Sequence, residues 1–179
     1  MDYVRDYAMY AAIFGIFGFS WFGWAQENPR ASWRKWLGIA SAAPFLVGLA
    51  GIYWSVTHWH ERTALAEAGA FRAYLTFVFA EVLLAAVGAF LFIRFKRKDY
   101  IAPWIAFIVG VHFFWLKSVF QDTSLYALAI LLIGVSVLSP IAAKKWQVAN
   151  SAITGIGAGT VLFGFAISGA VRFLLAQAQ

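Results

Sequence analysis

The chain has 179 residues, 63% of them hydrophobic, 19% aromatic and 12% charged, with a mean hydropathy of +0.74. A soluble domain carries about 45–50% apolar and about 25% charged residues, so one core could not hide this much apolar surface; a soluble enzyme, a disordered chain and a nucleic-acid-binding module are excluded. The net charge of +6 comes from bases clustered between apolar runs, the pattern of a polytopic membrane protein.

The chain has no cysteine, which removes disulfides, iron–sulfur ligation and thiolate zinc sites. Asp2, Arg5 and Asp6 stand where a cleavable signal would carry a basic n-region, and the first apolar run ends in aromatics rather than small residues. The whole chain, 1–179, is therefore read as one mature transmembrane domain.

A spanning helix needs about 20 mostly apolar residues. Six such stretches occur, at about 7–25, 36–57, 70–95, 102–120, 124–142 and 151–175. Glu27-Asn28-Pro29 stops the first, and the second runs through Pro44. The third ends at Arg94. The fourth opens on Pro103, a good first-turn residue. Gln121 to Ser124 separates it from the fifth, which Pro140 is expected to close, and Asn150-Ser151 caps the sixth. The connection from Thr57 to Gly69 has an Ala-rich centre over 63–68, expected to extend the third helix. No three-plus-three inverted repeat emerges, because Pro44 and Pro140 fall at different depths.

The loops set the expected threading. Arg30, Arg34, Lys35, Arg94, Lys96, Arg97, Lys98, Lys144 and Lys145 gather at one end, leaving Arg5, Arg62, Arg72, Lys117 and Arg172 at the other. By the positive-inside rule, loops 26–35, 95–101 and 143–150 are cytoplasmic and both termini non-cytoplasmic. Trp21, Trp24, Trp33, Trp36, Trp104 and Trp146 would mark the inner interface, and Trp54, Trp59 and Trp115 the outer one.

Small residues mark helix-packing faces in membranes. The first span carries Ala8, Ala11, Gly15 and Gly18 on one stripe and the second Ala40, Pro44, Gly48, Gly51 and Ser55; the sixth has Gly155 and Gly159 as a GxxxG pair, with Gly164 and Gly169 further along. Close packing explains all three. A Gly-lined cavity or a dimer face is the functional counterpart.

Ionisable groups at membrane depth cost at least about 2.5–3.5 kcal/mol on insertion scales, which makes them functional candidates. Glu81 in the third span and His112 and Lys117 in the fourth qualify. Matching Arg94 with Ala102 across the short connection sets Glu81 opposite Trp115, between the other two. On the fourth span Pro103, Ala106, Gly110, Phe114, Lys117 and Gln121 form the stripe expected to face the bundle; on the third the matching stripe is Tyr74, Val78, Glu81, Ala85 and Gly88. His112 lies about 140° round from Lys117. Glu81 with Lys117 is the expected pair, and Glu81 with His112 the second choice. A Glu–Lys pair that only sets packing register is the plainer account, as is a Lys117 that snorkels outward. Arg72, Arg94 and Arg172, near span ends, are expected to snorkel.

Cofactors are not expected. His58 and His60 diverge from one segment and do not make a facing haem pair; with Glu61 they form only a weak metal candidate. Lys117 lacks the last-helix setting of a retinal lysine, and no nucleophile–base pair, phosphate loop or metalloprotease motif speaks for an enzyme.

The sequence therefore predicts an all-α polytopic protein of six transmembrane helices in a cell (plasma or inner) membrane. Its leading functional reading is a small transporter or channel whose cavity is lined by Glu81, Lys117, His112, Gln121 and Tyr74. The alternatives are a non-catalytic scaffold or accessory subunit, and a protein binding a lipid or hydrophobic ligand between its spans. Expected partners are membrane lipids and either a second copy or another membrane protein, with no nucleic acid.

Overall fold

The computed structural model describes residues 3–178, which form six long α-helices with no strand among the described residues. They are α1 (Val4–Trp24), α2 (Arg34–Thr57), α3 (Ala70–Arg94), α4 (Ile101–Phe120), α5 (Ser124–Trp146) and α6 (Asn150–Gln177), with short 3-10 turns at Ala31–Trp33, Ala64–Ala66 and Lys98–Tyr100. Five of the six, α2 to α6, are long and apolar enough to cross a membrane. The first is diluted by Tyr, Trp, Ser and Gly. It has ten buried residues and packs against α2 on one side and α6 on the other.

Glycine lets these helices approach to backbone contact. A Cβ on Gly15 would lie 2.5 Å from the Gly48 amide nitrogen, and one on Gly51 would run into the Ala12 amide. The antiparallel α1–α2 seam thus matches Gly15 to Gly48 and Ala12 to Gly51, with Pro44 buried against Gly18. On its other side α1 meets α6 in the same way. A Cβ at Gly155 would stand 2.5 Å from the Trp21 carbonyl oxygen, and one at Gly169 would stand 2.9 Å from that of Tyr7. The small stripes on the first and second spans are these contact faces. Gly164 is different: it is exposed and faces open space.

From α6 the bundle continues through α5 to α4, and α3 attaches to α4. The order in space is therefore α2, α1, α6, α5, α4, α3, with α6 also touching α2 and α4. The third helix is peripheral, with Gly88 its only buried residue. Its outward face carries Phe79 and Phe90, 69% and 65% exposed, an apolar surface of the kind a bilayer covers.

Several connections differ from expectation. Pro140 does not close the fifth helix, which runs on to Trp146. Proline removes the amide that would bond the carbonyl of Ser136, and the Ser139 hydroxyl donates to that oxygen at 3.3 Å instead. Residues 63–68 do not extend the third helix. Thr63 accepts from the Leu65 amide to start a separate 3-10 turn, Glu67 is extended, and Gly69 at φ +81° breaks the chain direction before Ala70.

That turn is fastened to α1. Asp6, with no solvent exposure, accepts from the Thr63 hydroxyl at 2.5 Å and from the Ala64 amide at 2.8 Å. Arg5 lies over the Trp59 ring at 4.0 Å and donates to the Trp59 carbonyl. At the opposite end Arg30 donates to the Trp146 carbonyl at 3.1 Å, and the Ala149 amide to that of Asn28, so the two connections at the basic end hold each other.

Candidate functional site

The α1 helix does not approach α4 or α3 closely along its length. Aromatic side chains bridge the space to α4: Tyr10 meets Phe120 edge-on with ring centres 5.7 Å apart, and Phe14 meets Phe113 in the same way at 5.7 Å. Between this bridge and α3 lies a crevice of about 440 Å³. Phe17 of α1 and Val82 of α3 line it while standing 56% and 59% exposed. Leu65, from the turn that Asp6 holds, closes it at one end, and Trp21 and Trp24 line the other.

The polar feature of this crevice is a carboxylate against an imidazole. Glu81 sits eleven residues into α3 and His112 eleven into α4, so both lie halfway along antiparallel helices. Glu81 Oε2 abuts His112 Nδ1, with side chains 20% and 10% exposed. His112 also stacks on Phe113, centres 5.2 Å apart. Its other ring nitrogen, Nε2, is buried with no hydrogen-bond partner among the described residues, and so is the hydroxyl of Tyr10. Polar atoms buried in this state normally find partners. Both side chains line the crevice.

The α3 stripe lies inward as expected: Gly88 is buried, and Tyr74, Val78, Glu81 and Ala85 are half-buried on an otherwise largely exposed helix. Tyr74 lines the crevice and meets Phe120 edge-on. Glu81, His112 and Tyr74 therefore come together. Lys117 and Gln121 do not join them. The expected Glu81–Lys117 pair is replaced by Glu81–His112, because the two α4 residues point to different neighbours: His112 to α3, and Lys117 to α5, where its ammonium lies 5.7 Å from the Tyr126 ring centre. Phe114, expected to face the bundle, is 38% exposed. Gln121 ends α4 in a left-handed conformation at φ 52° and donates to the Ser118 carbonyl.

The outer-loop candidates also separate. His58 Nδ1 lies 2.9 Å from the Trp54 carbonyl, and its Nε2 lies 3.1 Å from Gln177 Nε2, so this ring ties α2 to the end of α6. His60 is exposed. Glu61 reaches only to 3.9 Å of His58, and no group of three potential ligands assembles among the described residues. Arg172, near the end of α6, donates to Asp122 at 2.9 Å, and Asp122 in turn caps the Ser124 amide.

The wall that α1 contributes was missed from sequence. Tyr10, Phe14, Phe17, Trp21 and Trp24 all line the crevice, at spacings of four, three, four and three residues that trace one helical stripe. That stripe was the available signal. No family model, curated protein or solved structure matches the chain.

Proposed function

We propose that this protein spans a lipid bilayer with six helices and takes up a lipophilic molecule from the bilayer, sideways, into the crevice between α1, α3 and α4. The carrying observation is the crevice itself: about 440 Å³, walled by aromatics, lined also by the exposed Phe17 and Val82, with the Glu81–His112 pair at mid-depth. Concave, mostly apolar sites with a few polar groups are the usual form of small-ligand sites. A water-filled ion path would need polar walls along its length, which these side chains do not supply.

The test is photolabelling of the reconstituted protein with a bilayer-soluble diazirine hydrocarbon. Phe14 and Leu116, only 4% and 5% exposed, become labelled along with Phe17 and Val82. The Val109→Trp variant, which fills the crevice, protects them, while Leu83→Trp on the outward face does not. Labelling confined to outward-facing residues would overturn the reading.

A second reading is translocation, favoured by the midway position of the titratable pair. Here the ligand or a proton crosses the membrane, and Glu81→Gln abolishes flux in proteoliposomes while leaving hydrocarbon labelling intact. Sidedness is open to the same kind of test. With no native cysteine, Lys96→Cys and Glu67→Cys each give a unique thiol, and an impermeant maleimide added to intact cells labels the second only if the basic end faces the cytoplasm.

A further inference from the structure

We infer that the ligand of this crevice is an uncharged, flat-ringed lipophile bearing a carbonyl or a hydroxyl, of the quinone or phenol class, with a polar group at His112 Nε2 and the Tyr10 hydroxyl, at the Phe120 level of the same crevice, as a second and separate hydrogen-bonding position; this rests on the crevice being a ligand site. The first argument is charge. No Lys or Arg lines the crevice. Lys117, on α4 five residues beyond His112, lies over the Tyr126 ring, and Arg172 pairs with Asp122. A phosphate or carboxylate headgroup would meet Glu81 at mid-depth without a counter-charge, which the low dielectric there penalises. A cationic headgroup would compete with His112 for the one carboxylate.

The second argument is hydrogen bonding. His112 Nε2 and the Tyr10 hydroxyl are buried and unpartnered among the described residues, and both side chains line the crevice. With Nδ1 turned to Glu81, a neutral ring bonded there through Nδ1–H offers Nε2 as an acceptor for a hydroxyl. A protonated ring offers Nε2–H as a donor to a carbonyl. The Tyr10 hydroxyl can donate or accept. The site is thus suited to a group that is either a ring carbonyl or a ring hydroxyl.

The third argument is shape. Tyr10, Phe14, Phe113, Phe120 and Tyr74 present ring edges and faces in mutually tilted arrangements, the surroundings in which a flat ring gains offset and edge contacts. A tail attached to that ring leaves between Phe17 and Val82.

The test uses the full chain in phosphatidylcholine nanodiscs, with radiolabelled decylubiquinone as probe and protein-free discs as background. Saturable binding is expected, competed by a lipophilic phenol and not by oleate or decyl phosphate. Tyr10→Phe and His112→Gln, which keep shape or an amide in place of the lost group, each weaken it about three- to tenfold, the effect of one lost hydrogen bond; Lys117→Met leaves it unchanged. Competition by oleate or decyl phosphate as strong as that by the phenol overturns the inference, as does unchanged affinity in both Tyr10→Phe and His112→Gln. If the crevice takes up the hydrocarbon photolabel but decylubiquinone does not saturate, the ligand class alone is wrong. If neither happens, the site itself is.

Discussion

Replacing Gly51 by alanine adds one methyl group at the point where α1 and α2 come closest. That methyl would meet the Ala12 amide, with the Ala11 carbonyl carbon at 2.7 Å and the Ala12 Cα at 2.8 Å. All three are backbone atoms of a neighbouring helix, so no side-chain rotation relieves the overlap. The helices must part by roughly an ångström, and a gap of that size forfeits about a quarter to a half of each atom-pair attraction along the seam. Overpacking in tight interiors costs about 1–3 kcal/mol, against which alanine recovers about 0.5–1 kcal/mol of helix propensity. The net expectation is a loss of about 1–2 kcal/mol. Gly164→Ala is the matched control: nothing lies within 4 Å of its added carbon, so only the propensity gain remains and the variant is neutral or slightly more stable. Reversible unfolding in mixed micelles with increasing dodecyl sulfate measures both. Equal stability of Gly51→Ala and Gly164→Ala would refute the reasoning, because it would mean the α1–α2 backbones are not in contact.

Three further outcomes follow from the polar contacts. Asp6→Ala strips the buried acceptor from Thr63 and Ala64 and costs about 1–3 kcal/mol; hydrogen exchange across 57–69 should rise selectively, and unaltered protection there would show that the turn does not depend on Asp6. A double-mutant cycle of Glu81→Gln with His112→Leu should give a coupling of about 1 kcal/mol or more, whereas Glu81→Gln with Lys117→Met should be additive within about 0.5 kcal/mol; the reverse pattern would restore the Glu–Lys pair. Thr154→Val removes the 2.7 Å contact between the Thr154 and Ser139 hydroxyls that joins α5 to α6, and the same micelle titration should register only about 0.6 kcal/mol, up to about 1.7, as for other interhelical hydrogen bonds in membranes.

The helices were legible because apolar length and its interruptions are one-dimensional signals: each expected span lies within a few residues of a helix. Contact faces were legible for the same kind of reason, since Gly15, Gly48, Gly51 and Gly155 must lie inward if two backbones are to touch. What could not be read was the azimuth of single polar residues relative to a particular neighbour. His112 and Lys117 differ by about 140°, and either could have faced α3 until the place of α5 was known. Pairings across long separations were hidden too. Asp6 with Thr63 and Asp122 with Arg172 are 57 and 50 residues apart, and each of those carboxylates looks in sequence like an ordinary solvated charge near a span end. Pro140 misled because its cost as a helix breaker is set by whether the freed carbonyl finds a donor, and Ser139 next to it supplied one.

The distribution of packing around the crevice bears on how a ligand would reach it. The α1 wall is locked to α2 and α6 by glycine contacts that leave the backbones no room to slide. The α3 wall is held to α4 without such glycine contacts along a seam: Gly88 lies beneath Trp104, whose indole N–H donates to the Leu84 carbonyl at 3.1 Å, and Phe92 with Trp104, Phe77 with Trp115, Tyr74 with Phe120 and the Glu81–His112 pair complete the attachment. Elements with few buried contacts open at the lowest free energy, so under the proposed uptake α3 is the wall expected to yield. Its midpoint attachment is also the polar centre of the site. A ligand that completes the hydrogen bonding of His112 fixes the ring against which Glu81 is held, and so steadies the same helix whose displacement would admit it. Under the proposed uptake, entry and closure would be one equilibrium: the ligand would favour the closed position of α3 in proportion to how much better it binds there than in the open one.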